Sequence, residues 1–153
     1  MEKNEKINIL QDLIRINSVN GNEQEVAEYI KQLFNKRGIE KTELIDFRKL
    51  TGRKNIVAEF GEATTSKVLA LEGHMDTVAE GNHDNWEHAP FSAEKIGNSI
   101  YGRGAADMKS GLAAMVIAFV ELFEEGFKPN GKLRFIGTAC EELGAQGAVD
   151  LTQ

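Results

Sequence analysis

Residues 69–77 read Leu69-Ala70-Leu71-Glu72-Gly73-His74-Met75-Asp76-Thr77. An apolar run ends in a histidine and an aspartate two residues apart, and the chain then turns polar and loop-like from Ala79 to Pro90. Residues two apart in extended backbone point the same way, so His74 and Asp76 arrive together at the carboxyl end of a strand. The unbroken apolar character of Val68 to Leu71 predicts a strand covered on both faces of a partly parallel sheet. Two more acidic points follow: Asp107 after Gly102-Arg103-Gly104-Ala105-Ala106, and the adjacent Glu141-Glu142 after another apolar run. One imidazole with several carboxylates at strand ends is the donor set of a metal site.

Upstream, Ile7, Leu10, Leu13 and Ile14 recur at helical spacing, as do Val26, Tyr29, Ile30, Leu33 and Phe34. Two amphipathic helices therefore open the chain, separated by a turn at Asn20-Gly21-Asn22, with Gly38 placed as a C-terminal helix glycine. Thr42 to Phe47, Asn55 to Phe60 and Lys67 to Leu71, bounded by Thr51-Gly52 and Gly61, read as three strands. Glu94 to Ile96 and Ser99 to Tyr101 read as a hairpin around Gly97-Asn98. Trp86 and Phe91 are expected to anchor the polar stretch.

Met108 to Glu125 is predicted helical, and Leu112 to Val120 is apolar on almost every face, which demands packing on several sides. After Gly126 and Pro129-Asn130-Gly131, Lys132 to Thr138 returns as a strand and Gly144 to Leu151 begins a helix. Helices first, then strands alternating with a crossover helix, predict an α/β fold with a mixed, partly parallel sheet flanked by helices. A further helix and more strands are expected after such a pattern, so the chain reads as the front part of a longer fold.

The chain has 153 residues, 41% hydrophobic and 27% charged, which suits one domain with a core. A net charge of -6 argues against a nucleic-acid or membrane-surface partner, both of which need a basic footprint. The lone Cys140 makes no intramolecular disulfide, and the start Met-Glu-Lys-Asn-Glu-Lys has no apolar segment behind a basic one. A cytoplasmic protein is expected. The densest apolar window falls well short of the ~18 residues of a membrane span.

His74, Asp107 and Glu142 fit a catalytic metal's ligand set, and strand carboxyl ends are where open α/β sheets bind ligands. Asp76 is placed to accept the proton of the other imidazole nitrogen and fix the tautomer. Adjacent glutamates would repel in one role, which suggests Glu142 as ligand and Glu141 as general base. Blander readings compete: a solvated His74, Asp107 as the N-cap of the Met108 helix, and Glu141-Glu142 as a solvated helix start. Phosphate-loop readings of residues 102–110 fail, because Asp107 replaces the third glycine and Met108 stands where a glycine is needed before Lys109-Ser110. Cys140 reads as a buried small residue, His83 and His88 as solvated, and Arg103 as a turn residue or an ion-pair partner of the acidic cluster.

Gly73-His74-Met75-Asp76-Thr77-Val78, Trp86, Pro90-Phe91, Tyr101 to Gly111, and Thr138-Ala139-Cys140-Glu141-Glu142-Leu143-Gly144 together resemble one family. It is the M20-type co-catalytic metallopeptidases and deacylases, the group of acetylornithine deacetylase, succinyl-diaminopimelate desuccinylase and carboxypeptidase G2. The resemblance implies that His74 binds one metal, Asp107 bridges two, Glu142 binds the second, Asp76 supports His74 and Glu141 is the general base. It implies two Zn2+ per complete site, with Co2+ or Mn2+ as alternatives. Residues 1–153 would be the N-terminal portion of a zinc-exopeptidase-like catalytic domain, with two further ligands and a dimerisation or lid domain absent. Activity on the amide of an N-acyl amino acid is implied, succinyl-diaminopimelate first, with acetylornithine or a di- or tripeptide as alternatives and a homodimer as the full-length state. The rival from another class is a truncated, inactive binding module.

Overall fold

The computed structural model describes residues 1–47, 52–62 and 65–152. Along the chain lie α1 (Lys3–Arg15), α2 (Glu23–Lys36), β1 (Thr42–Asp46), β2 (Lys54–Phe60), β3 (Val68–His74), β4 (Glu94–Ile96), β5 (Ser99–Tyr101), α3 (Ser110–Glu124), β6 (Lys132–Thr138) and α4 (Gln146–Leu151). Helix α1 buries Ile9, Leu13 and Ile14, and α2 buries Val26, Ala27, Ile30 and Phe34. Spacings of three and four place each set on one stripe, which lets α2 pack on β1 and β2 and α1 pack against α3. Of the turn expected at Thr51-Gly52, Thr51 lies outside the described residues; Gly52 takes φ +84.

The main sheet has the order β1-β2-β6-β3, with β4 and β5 forming a separate hairpin. β1 and β2 are antiparallel, β2 and β6 antiparallel, and β6 and β3 parallel, so the sheet is mixed. The register pairs Ala58 and Leu71 with Phe135, and Ile56 and Gly73 with Gly137, so these residues share one face. Against that face Phe34, Phe119 and Phe135 meet with ring centroids 5.2, 5.3 and 6.0 Å apart, in tilted and edge-on arrangements favoured by their quadrupoles. Arg37 holds Glu5 and Glu124, tying α1, α2 and α3 together. On the opposite face Arg134 donates from Nε and Nη2 to Glu59 Oε2, at 3.0 and 2.7 Å.

One expectation is overturned. Val68 and Leu69 are 45% and 65% exposed, and Ala70 is exposed too, rather than covered on both faces. The reason is position: β3 is an edge strand, and its first residues lie beyond the helices' cover even on the side that Leu69 shares with Leu71 and Gly73. The start of α3 also differs from the expected Met108. Residues 105–109 form a tight turn in which Asp107 (φ -120, ψ 102) and Met108 are not helical, and the Asp107-Met108 peptide is cis. Gly104 enters this turn at φ +75, where an added Cβ would meet Thr77 Cγ2 at 2.4 Å, so glycine is required there.

Burial works to raise the Glu59 carboxyl, but Arg134 and Lys132 outweigh it and hold it below the usual carboxylate range. A depressed folded pKa adds stability that is present above the unfolded value and lost as pH falls through the folded one. Glu59→Gln is therefore expected to cost about 0.5–1 kcal/mol near neutrality and to converge with wild type in strongly acidic buffer. Urea unfolding across pH checks this; a difference that persists or grows in acid contradicts it.

Candidate metal centre

The parallel pairing of β3 with β6 sets His74 opposite Thr138, so both strands end at one rim of the sheet. The chain leaves β3 through Met75, whose N–H donates to Thr138 O at 2.8 Å, and through Thr77, whose N–H donates to Ser18 O at 3.1 Å. Ser18 Oγ in turn donates to Met75 O at 2.8 Å, so the α1–α2 connection acts as a short splint along residues 75–77.

His74 is buried at 6% exposure, with only its outer edge near solvent. Nδ1 lies 3.0 Å from the backbone carbonyl oxygen of Asp76. A carbonyl only accepts, so Nδ1 carries a proton and Nε2 is the nitrogen left to face the site. Nε2 lies 3.0 Å from Asp107 Oδ1 and 3.9 Å from Glu141 Oε2. His74, Asp107 and Glu142 each offer a donor atom within 4.8 Å of the other two. The ring is thus surrounded by acceptors that need positive charge among them. Without a cation the imidazole supplies it: Asp76 first, then Asp107, lift its pKa to about 9 against the opposing effect of burial.

Asp76 is fully buried, yet its carboxyl is held below the usual range: burial would raise it, but His74 and the amides of Glu141 and Glu142 outweigh that. Those N–H groups donate to Oδ1 and Oδ2, each at 3.0 Å. The carboxylate stands 3.6 Å from Nδ1, so the close hydrogen bond to the ring comes from the Asp76 carbonyl while the side chain organises the glutamate turn. Glu141 is half exposed, and Asp107, 77% exposed, sits at the open side. Asp107 does not cap α3, which begins at Ser110, and Glu141-Glu142 lie in a turn ahead of α4.

Two buried polar residues support this rim and carry no periodic signal. Asn55 accepts from Ala139 N at 2.9 Å and donates to Gly147 O at 3.0 Å, fixing the loop that bears the glutamates. An added Cβ at Gly147 would meet Ala139 O at 2.3 Å, so α4 approaches that loop as closely as backbone allows. Lys109 is wholly buried, and its Nζ donates to Leu13 O and Ile16 O at 2.7 Å each, a cation placed on the carboxyl end of α1. Burial pushes its pKa down to about 8. The sequence marked Asn55 only as a polar residue opening an apolar strand and Lys109 only as a failed phosphate-loop lysine.

The other candidates lie apart from this cluster. Arg103 stacks over the Trp86 ring at 5.2 Å instead of entering the acidic group. His83 pairs with Glu80, and His88 pairs with Glu94 and packs on Tyr101. Cys140 is buried at 2%.

Residues 70–153 match the model of peptidase family M20/M25/M40. A probable succinyl-diaminopimelate desuccinylase of Staphylococcus aureus is 44% identical over 144 residues, which cover 94% of this chain and 35% of that protein. Among solved structures, the M20 family metallo-carboxypeptidase Sso-CP2 from Sulfolobus solfataricus superposes with TM-score 0.79 at 26% identity, over 94% of this chain and 32% of its own. A dinuclear metal-binding M20 peptidase of Bacillus subtilis shares the fold, with TM-score 0.68 at 21% identity over 97% of this chain and 38% of its own. The chain therefore spans about a third of the length of the curated relative it matches.

Removing the Asp76 carboxylate leaves two amides without their acceptor, a loss of about 1–3 kcal/mol each. Asp76→Ala is expected to speed hydrogen exchange at the Glu141 and Glu142 amides at least tenfold relative to those of β6. Unchanged protection at these two amides would remove the role assigned to this side chain.

Proposed function

Because the chain belongs to peptidase family M20/M25/M40, we propose that it carries the metal-holding and proton-transfer half of a metal-dependent amide hydrolase. The observation that carries this reading is the orientation of His74: a backbone carbonyl takes the Nδ1 proton, so Nε2 faces carboxylates with room for a cation among them. One nitrogen and two carboxylate donors, open on one side, suit a zinc-like ion, and cobalt or manganese equally.

His74 and Glu142 would each hold one ion of a pair, with Asp107 between them. When bound, the ions supply polarisation of the substrate carbonyl and a lowered pKa for water. The Glu141 carboxylate, half exposed and 3.9 Å from His74 Nε2, is placed to take a proton from the attacking water. As the new C–O bond forms and the C–N bond breaks, Glu141 passes that proton to the departing amine. Asp76, through the amides of residues 141 and 142, keeps the base at its station.

The substrate proposed first is N-succinyl-diaminopimelate, supported by the 44% identical relatives that bear the desuccinylase name. A peptide substrate is the second reading, supported by likeness to the metallo-carboxypeptidase. Cytoplasmic location and a homodimeric full-length protein fit this biosynthetic chemistry and stand as parts of the same proposal.

Calorimetric titration with Zn2+ tests the site. His74→Ala and Glu142→Gln are each expected to weaken binding about tenfold or more, whereas Glu141→Gln leaves affinity nearly unchanged. Wild-type affinity in both ligand variants would overturn the assignment. With three donors in place, the chain alone is expected to release no succinate from N-succinyl-diaminopimelate, and measurable turnover with stoichiometric metal would refute that.

A further inference from the structure

A cavity of about 320 Å3, within the range of small-molecule sites, lies among residues 85–88, the end of β5 and the turn that bears Asp107. Ala105 and Ala106 form one wall, and none of the three metal donors lines it. Its rings are those of Trp86, His88 and Tyr101, and each is held in place. Trp86 Nε1 donates to Glu80 O at 2.9 Å, so the indole's one donor is spent. The His88 and Tyr101 rings meet with centroids 4.3 Å apart, and His88 Nδ1 lies 3.0 Å from Glu94 Oε2. A carboxylate only accepts, so Nδ1 carries the proton and Nε2 of the neutral ring is an acceptor. Glu87 also lines the cavity; it is exposed and makes no side-chain hydrogen bond or ion pair among the described residues. Among those residues the lining holds no lysine or arginine, since Arg103 stacks on Trp86 from outside it.

We propose that this cavity is a binding site for a small organic ammonium ion, separate from the metal centre and seated against the turn that presents Asp107. Three features of the lining choose positive charge. Ring faces attract cations, and Arg103 on Trp86 shows this indole doing so. The Glu87 carboxylate is an unpaired acceptor, and an N–H bearing cation gives it a charge-assisted hydrogen bond. The net charge of -6 raises the concentration of small cations around the chain. An anion would instead meet Glu87 and the Glu94 carboxylate behind His88, and a neutral ligand would leave Glu87 without its partner. The rings favour an amine with an apolar body, so a free small amine suits the cavity better than the unbranched arm of a protein lysine.

The test titrates the metal-free chain with benzylamine, benzyl alcohol and benzoate by calorimetry and follows the fluorescence of Trp86, the single tryptophan of the chain. Benzylamine is expected to bind and to change the Trp86 emission, with the neutral and anionic analogues at least tenfold weaker. Glu87→Gln, at an exposed position that leaves the core intact, and Tyr101→Ala are each expected to weaken benzylamine binding at least fivefold. Phe127→Ala, in a cavity elsewhere on the surface, is expected to leave it unchanged. Equal binding of the three probes, benzylamine binding without a Trp86 response, or wild-type affinity in Glu87→Gln overturns the proposal. So does a loss confined to Phe127→Ala, which would move the amine to the other cavity. Tighter binding of Nα-acetyl-lysinamide than of benzylamine also overturns it, since a protein lysine would then be the better fit. The titration needs neither metal nor turnover, so its failure leaves the hydrolase reading standing, and failure of Zn2+ binding leaves the ammonium site standing.

Discussion

A single buried carboxylate, Asp76, joins the two halves of the rim. It sits at the end of the β3 segment, has no exposure, and keeps its charge because His74 and the amides of Glu141 and Glu142 surround it. Burial alone would neutralise such a group. The dependence is mutual, since the amides of Glu141 and Glu142 find their acceptors in Asp76, while within the turn Glu141 O accepts from the amides of Gly144 and Ala145. The parallel β3–β6 pairing brings the strand ends together, and this one charge turns their proximity into a defined geometry.

Behind the rim the fold repeats the same device with neutral and cationic groups. Loops cannot satisfy their own backbone polar groups as helices and sheets do, so each loop at the site is met by a buried side chain. Asn55 serves the Ala139 and Gly147 backbone, Ser18 serves Met75, and Lys109 serves the last carbonyls of α1. Lys109 also follows Asp107 by two residues, so the turn that presents Asp107 is anchored at its far end in α1. A site assembled from loops is made rigid by side chains that never touch its centre.

Much of this architecture is readable from periodicity. The hairpin strands and β6 fall on the expected residues, and α1 and α2 follow from three-four patterns that survive folding. The departures have local causes. Met108 is a good helix former, yet the helix waits until Ser110 because the chain passes through the left-handed Gly104 and the extended Asp107 first. The Val68–Leu71 run encodes burial on two faces, and the described residues leave Val68, Leu69 and Ala70 exposed and Leu71 half-buried. Composition records what a strand expects to touch and is silent on whether this stretch of chain supplies it. The donor residues were identifiable by type and by their place after apolar runs. The Asp76 bonds to residues 141 and 142 were not, because contacts spanning 65 and 66 positions leave no repeating mark.

Grouping acceptors around one imidazole has an energetic consequence. Asp107, Glu141 and Glu142 approach His74 on a chain already at net charge -6, an arrangement that like charges oppose. In the cation-free state a protonated imidazole offsets this, and Asp76 first, then Asp107, raise its pKa to about 9 despite burial. A bound cation would take over that task and release the ring to its neutral, ligating form. Because the donors are placed by β3, the Gly104–Lys109 turn and the loop after β6, any ion they share would also pull three distant parts of the chain together, so that binding and folding draw on one free energy.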